Sequence, residues 1–93
     1  MNNNNALKFL TKIYSVTSFP DSVIHKLPLF LSQQLSEKEE TVIVLRYGLN
    51  NDECLSQLEL AKKFDVSLYR IIDVENRAIS KLRHPHRRRI LFK

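Results

Sequence analysis

Glycine occurs once and proline three times in these 93 residues, too few turn formers for the many reversals of an all-β chain. One cysteine, Cys54, excludes an intramolecular disulfide and any cysteine cluster for metal built by a single copy. No stretch approaches the roughly 20 apolar residues that cross a bilayer. The N-terminal run MNNNNALKFLTKIYSV is broken by Lys8 and Lys12 and is followed by no small-residue cleavage pattern, so it does not read as a secretory leader. A cytoplasmic protein is expected. Phosphate loops, nucleophile elbows and paired carboxylates are missing; neither catalysis nor a cofactor is expected. Negative charge is scarce at one end. Residues 67–93 carry Arg70, Arg77, Lys81, Arg83, Arg87, Arg88, Arg89 and Lys93 against only Asp73 and Glu75, while the rest of the chain is close to neutral. This asymmetry suits either a polyanion partner or a solvated basic tail.

What is present is Leu, Ile and Val at three- and four-residue spacing, which predicts an all-α chain. Four asparagines open it as a polar tract expected to fray. Leu7, Leu10 and Tyr14, with Phe9, Ile13 and Val16, then define an amphipathic helix of about three turns. Ser18, Pro20 and Asp21 mark the start of a second helix, carrying Val23, Ile24 and Leu27 and interrupted or kinked at Pro28. Leu29-Phe30-Leu31 is too apolar for water. Ser36 and Glu39 form a capping box; the helix they open ends near Tyr47, with Gly48 placed for a left-handed cap. Ser56 and Glu59 form a second box, with Leu55 and Leu60 in staple positions, opening a short helix whose apolar set is Leu58, Leu60, Ala61 and Phe64. Ser67 caps a long last helix, Val66 and Ile71 again spaced as a staple, that meets no proline before Pro85; HRRRILFK adds one further turn. No internal repeat is visible.

Residues 56–82 thus form a short helix, a three-residue turn and a longer helix, the plan in which the second helix enters the DNA major groove. The segments LSEKEETVIVLRYGL, LSQLELAKKFDVS and AISKLRHPHRRRIL together resemble region 4 of the primary bacterial sigma factors. The resemblance runs over about residues 35–91. It is carried by Arg46-Tyr47-Gly48-Leu49, Phe64-Asp65-Val66 and Lys81-Leu82-Arg83-His84-Pro85. It implies a helix-turn-helix domain of three to four helices at 35–93, with 1–34 as an N-terminal helical extension of unassigned role.

It also implies a place in transcription, with two partners: promoter DNA, met by the recognition helix, and the β flap of RNA polymerase, held in a separate apolar groove. Arg46, Arg77, Lys81 and Arg83 fall where the family has basic residues near DNA phosphates, and Arg70 where it has Arg at the start of the recognition helix. Arg87 and Arg88 extend this backbone-contacting set, which positions a protein without reading sequence.

The base-reading residues do not carry over. Where the family has Arg-Glu-Arg-Ile-Arg-Gln, this chain has Leu68-Tyr69-Arg70-Ile71-Ile72-Asp73. Leu and Ile cannot replace a bidentate Arg on guanine, worth about 1–3 kcal/mol of discrimination. Ile71, Val74, Ala78 and Leu82 form the inward stripe. Leu68, Tyr69, Ile72, Asp73 and Asn76 then make the recognition face or a partner patch. Each apolar member contributes about 1.5–3 kcal/mol when buried, so a cover is expected: the chain's own N-terminal helix, a second copy or a foreign partner. The other readings are a last helix buried on more sides, and thymine-methyl contact with changed specificity.

His84-Pro85-His86 has no nearby carboxylate or Cys and makes a poor metal site; Arg87-Arg88-Arg89 suits a polyanion or an acidic protein surface. Two readings stay open: a sigma-like factor or polymerase accessory subunit with weak DNA reading, and a protein-interaction module on the sigma scaffold that acts as a dimer or as a sigma competitor. Both place the chain in the bacterial cytoplasm, at the nucleoid.

Overall fold

The computed structural model describes residues 2–16, 19–51 and 53–92. Among them the regular structure is entirely helical: α1 (Asn3–Tyr14), α2 (Asp21–Gln34), α3 (Glu37–Arg46), α4 (Gln57–Phe64), α5 (Leu68–Arg83) and α6 (Pro85–Phe92). The all-α expectation holds.

The asparagine tract is ordered, contrary to the sequence expectation. The Asn2 side chain caps α1 by accepting from the Asn5 backbone N–H at 3.1 Å. Asn5 Nδ2 donates to the carbonyls of Gly48 at 2.9 Å and Asn51 at 3.2 Å. Long-range amide bonds therefore fix a segment whose composition suggested fraying. Ala6, Phe9, Leu10, Ile13 and Tyr14 are buried, whereas Leu7 is 40% exposed.

Ser18, read as the start of α2, lies outside the described residues. The helix begins at Asp21 after Pro20, without a side-chain cap bond. It also runs through Pro28 uninterrupted. A mid-helix proline costs about 3 kcal/mol, and here Val23, Leu27, Phe30 and Leu31 are buried on both sides of it and offset that cost. Of the expected apolar triplet, Leu29 points outward and is 63% exposed.

The two capping boxes form as expected. Ser36 N–H donates to Glu39 Oε1 at 2.9 Å and Glu39 N–H to Ser36 Oγ at 3.3 Å. The Ser56–Glu59 pair repeats this at 3.0 Å in both directions. Gly48 sits at φ +61°, the left-handed position its place after α3 predicts. In α4 only Leu60 and Ala61 are buried; Leu58 and Phe64 are exposed, because an eight-residue helix lying on one face buries a single narrow stripe. C-terminal residues expected to add one turn form the full α6, which packs on α2 and buries Leu91.

Two clusters hold these helices together. The larger joins α1 and α2 to Ile43, Leu49, Ala78, Leu82 and Leu91. The smaller consists of Val42, Leu60, Ala61 and Ile71, confined to α3, α4 and α5. Adjacent Val42 and Ile43 point about 100° apart on a helix, so α3 is the wall between the clusters.

Candidate nucleic-acid interface

Helices α4 and α5 are joined by residues 65–67. Asp65 takes a left-handed conformation at φ 52° as the C-cap of α4, and Val66 N–H returns to the Ala61 carbonyl at 3.0 Å. Ser67 then caps α5, its Oγ accepting from Arg70 N–H at 3.2 Å. The turn is closed at both ends by hydrogen bonds that its own residues supply. Ala61, Ile71 and Leu60 pack across the angle between the helices.

The inward stripe is as read from spacing: Ile71, Ala78 and Leu82 are buried and Val74 partly so. On the other face Tyr69 is 84% exposed, Leu68 is 41% exposed, Arg70 and Asn76 are exposed, and Ile72 and Asp73 are half-buried. Of the covers considered, the N-terminal helix is excluded by geometry. α1 meets the opposite end of α5, where Tyr14 OH donates to the Leu82 carbonyl at 2.8 Å and Arg83 Nε donates to the Ile13 carbonyl at 2.9 Å. Beside the open first turn, Val42, Phe64, Val66, Ile71 and Val74 line a shallow apolar groove. The staple expected between Val66 and Ile71 leaves Val66 40% exposed on this groove.

The cations do not form one surface. Arg46 turns inward. Its Nη1 donates to the Leu55 carbonyl at 3.3 Å, and Nε lies 3.4 Å from Glu75 Oε1, in ion-pair reach without hydrogen-bond alignment. Arg77 pairs with Asp73 at 3.2 Å one turn away. Lys81 Nζ donates to Glu39 Oε1 at 2.6 Å. Burial alone would push the Glu39 carboxyl up; the bonds from Lys81 and Ser36 outweigh it and hold it below the usual carboxylate range. Arg88 lies over the rings of Tyr14 and Phe92 at 5.7 and 5.5 Å. Arg87 is half-buried, and Arg70, Arg83 and Arg89 are exposed. Arg83, Arg88 and Arg89 border a second open cleft with Pro85 and Phe92, far along α5 from its first turn.

Sequence reasoning missed Glu75, which is buried on the inner face of α5. Tyr47 OH donates to its Oε2 at 2.7 Å and Gln57 Nε2 donates to its Oε1 at 3.1 Å. This carboxylate ties α5 to α3 and α4 and so fixes the angle of the recognition helix. Burial, reinforced by the adjacent carboxylate, pushes the Tyr47 hydroxyl pKa up. A signal was available: positions 71, 75, 78 and 82 share one helical stripe, and Glu75 is its one charged member. Among the described residues no group of three or more His, Cys, Asp or Glu is arranged to hold a metal, and no helix is long and apolar enough to cross a membrane.

A capped short helix, a three-residue turn and a long helix anchored from its inner face define a DNA-binding-type helix-turn-helix head. The profile of sigma-70, region 4 matches residues 33–84, and the chain belongs to this family. Over 57 residues it is 42% identical to RNA polymerase sigma factor SigA1 of Synechococcus elongatus, covering 61% of this chain and 14% of that protein. Over 53 residues it is 43% identical to SigA of Bacillus sp and 42% identical to SigA of Clostridium acetobutylicum, in each case 57% of this chain and 14% of the relative. The chain therefore spans about one seventh of the length of these relatives. No solved structure matches it significantly.

Proposed function

We propose that this chain is a sigma region 4-like transcription factor or RNA polymerase accessory subunit that docks on the polymerase β flap. In this reading it touches promoter DNA through phosphates, with weak or altered reading of bases. The observation that carries the proposal is an open recognition-helix first turn on a sigma region 4 head. Leu68, Ile72 and Asp73 lack the bidentate donors that provide about 1–3 kcal/mol of discrimination per base. Arg46, Arg77 and Lys81 have carboxylate partners, which leaves Arg70, Arg83, Arg87 and Arg88 as the stronger phosphate candidates. Such a protein works without catalysis in the bacterial cytoplasm, at the nucleoid.

A second reading rests on a specific observation. Tyr69 and Leu68 stand exposed on the first turn of α5, Phe64, Val66 and Val74 line an apolar groove beside it, and small monomers seldom leave large apolar surface open. It makes the chain a protein-interaction module, acting as a dimer or as a competitor of a sigma factor.

Salt separates the two. Binding to a promoter duplex, followed by fluorescence anisotropy from about 50 to 200 mM salt, should weaken with a log–log slope near −0.9 per phosphate neutralised. Several such contacts give a steep line. Absence of DNA binding, with polymerase core still retained on the immobilised chain, favours the second reading; loss of both sinks the first. The pair Leu68→Arg and Ile72→Arg should raise DNA affinity under the first reading and break a protein contact under the second.

A further inference from the structure

We propose that one flank of the recognition helix selects A·T-rich DNA: Leu68, Tyr69 and Ile72 by contact with thymine methyl groups, and Asn76 by hydrogen bonds to an adenine edge. The inference rests on the DNA-contact reading above and gives it a base preference.

A helix turns about 100° per residue. Leu68, Ile72 and Asn76 therefore follow one another at four-residue steps along one flank of α5, and Tyr69 stands beside them. Tyr69 is 84% exposed and Leu68 41%; Asn76 is exposed and Ile72 half-buried. From Leu68 to Asn76 the flank rises about 12 Å, the height of about three to four stacked base pairs. Arg70 and Val74 lie on the other side of the helix, where they border the apolar groove with Phe64 and Val66. Flank and groove are thus separate surfaces, and Arg70 is turned away from any base the flank meets.

The chemistry of the flank selects among bases. In the major groove only thymine offers a methyl group, and adenine offers an acceptor beside a donor, which an amide side chain matches with two hydrogen bonds. Guanine offers two acceptors and calls for Arg or Lys; between Leu68 and Asn76 the flank has neither. A free carboxylate at Asp73 could accept from cytosine, but Arg77 holds it at 3.2 Å. That pair also offsets the repulsion of phosphates by Asp73.

Charge favours DNA over protein as the occupant. Around the first turn of α5 stand Lys62, Lys63 and Arg70 against Asp65, all exposed. That turn holds no acidic residue, whereas the first turns of α2, α3 and α4 each do. The positive end of the α5 dipole is left for an outside anion. A second copy seated on the same flank by two-fold symmetry would set these cations against their own copies. A polyanion meets them with opposite charge.

The test uses the full chain and a duplex pool randomised over one helical turn, bound at low salt and sequenced after selection. The bound fraction should be enriched in A·T pairs. The best duplex is then remade with deoxyuridine for thymidine, which keeps pairing and phosphates and removes only the methyl groups. Each contacted methyl that is lost should weaken binding about 3- to 5-fold, with the salt slope unchanged. Replacing adenine by its 7-deaza analogue removes the N7 acceptor and should weaken binding about 5-fold or more, a loss that Asn76→Ala does not show. Tyr69→Ala, at the most exposed of these positions, keeps the fold and should remove part of the uracil effect.

Salt-dependent binding without A·T enrichment, or equal affinity for the thymine and uracil duplexes, overturns the inference and leaves the phosphate reading standing. Absence of DNA binding overturns both. Self-association or polymerase retention that Tyr69→Ala abolishes, with DNA binding unchanged, makes a protein the occupant of the flank and likewise overturns the inference.

Discussion

Glu75→Ala tests whether one carboxylate sets the recognition helix on its scaffold. The substitution removes the acceptor for Tyr47 OH at 2.7 Å and Gln57 Nε2 at 3.1 Å, and the counter-charge 3.4 Å from Arg46 Nε. Removing one partner of a buried pair costs about 3–5 kcal/mol. The Arg46 side chain is 28% exposed and regains some water, which places the expected loss near the low end, about 3 kcal/mol. For a chain of this size that lowers the melting temperature by about 12–24 °C, read by circular dichroism. Glu75→Gln keeps the shape and one acceptor and should cost less than half as much. Tyr47→Phe should cost about 1.5–3 kcal/mol, as for a hydrogen bond to a charged group. The Tyr47→Phe and Glu75→Ala losses should fall well short of adding in the double variant, because both remove the same bond. A Glu75→Ala loss below about 1 kcal/mol, or strict additivity in the cycle, would refute the reasoning.

Gly48→Ala should destabilise by at least about 1–2 kcal/mol from its left-handed backbone alone, with a further penalty from the Glu53 carbonyl oxygen 2.7 Å from the added carbon; urea denaturation reads it, and a neutral result would disprove the packing of that loop. Burial raises the Tyr14 hydroxyl from 10.0 to about 12. The folded state then holds a proton that the unfolded chain releases, so stability is intact below pH 10 and falls as pH rises from about 10 to 12. Tyr14→Phe should flatten part of that decline, and an unchanged alkaline profile would count against the burial of this hydroxyl. In α4, Leu60→Ala should cost about 2–5 kcal/mol while Leu58→Lys stays within about 0.5 kcal/mol, and equal losses would show that the wrong face had been assigned to the core.

Local signals in the sequence reached far. The two Ser–Glu boxes and Ser67 marked three helix starts, because a capping hydroxyl and the backbone N–H it serves lie within three residues of each other. Gly48 marked the end of α3 for the same reason. Spacing placed Ile71, Ala78 and Leu82 on the inner stripe of α5, and the motif residues around Tyr47, Phe64 and Leu82 pointed to the sigma region 4 family. Leu58 and Phe64 were misplaced because periodicity over eight residues does not say how wide a stripe a neighbour covers.

Other features rest on partners distant in sequence, and no local rule reaches them. The asparagine tract is ordered only because Gly48 and Asn51 accept from Asn5, and Pro28 is tolerated only because the side chains around it are buried. Arg46 became an internal counter-ion once Glu75 of α5 was brought beside it, and Lys81 became one once α3 placed Glu39 within reach. Caps, stripes and family motifs are short-range and could be read directly from the chain. Which cations face solvent, where α1 docks and what fixes the recognition helix depended on contacts between residues 28 to 70 positions apart, and these exist only once the helices have packed.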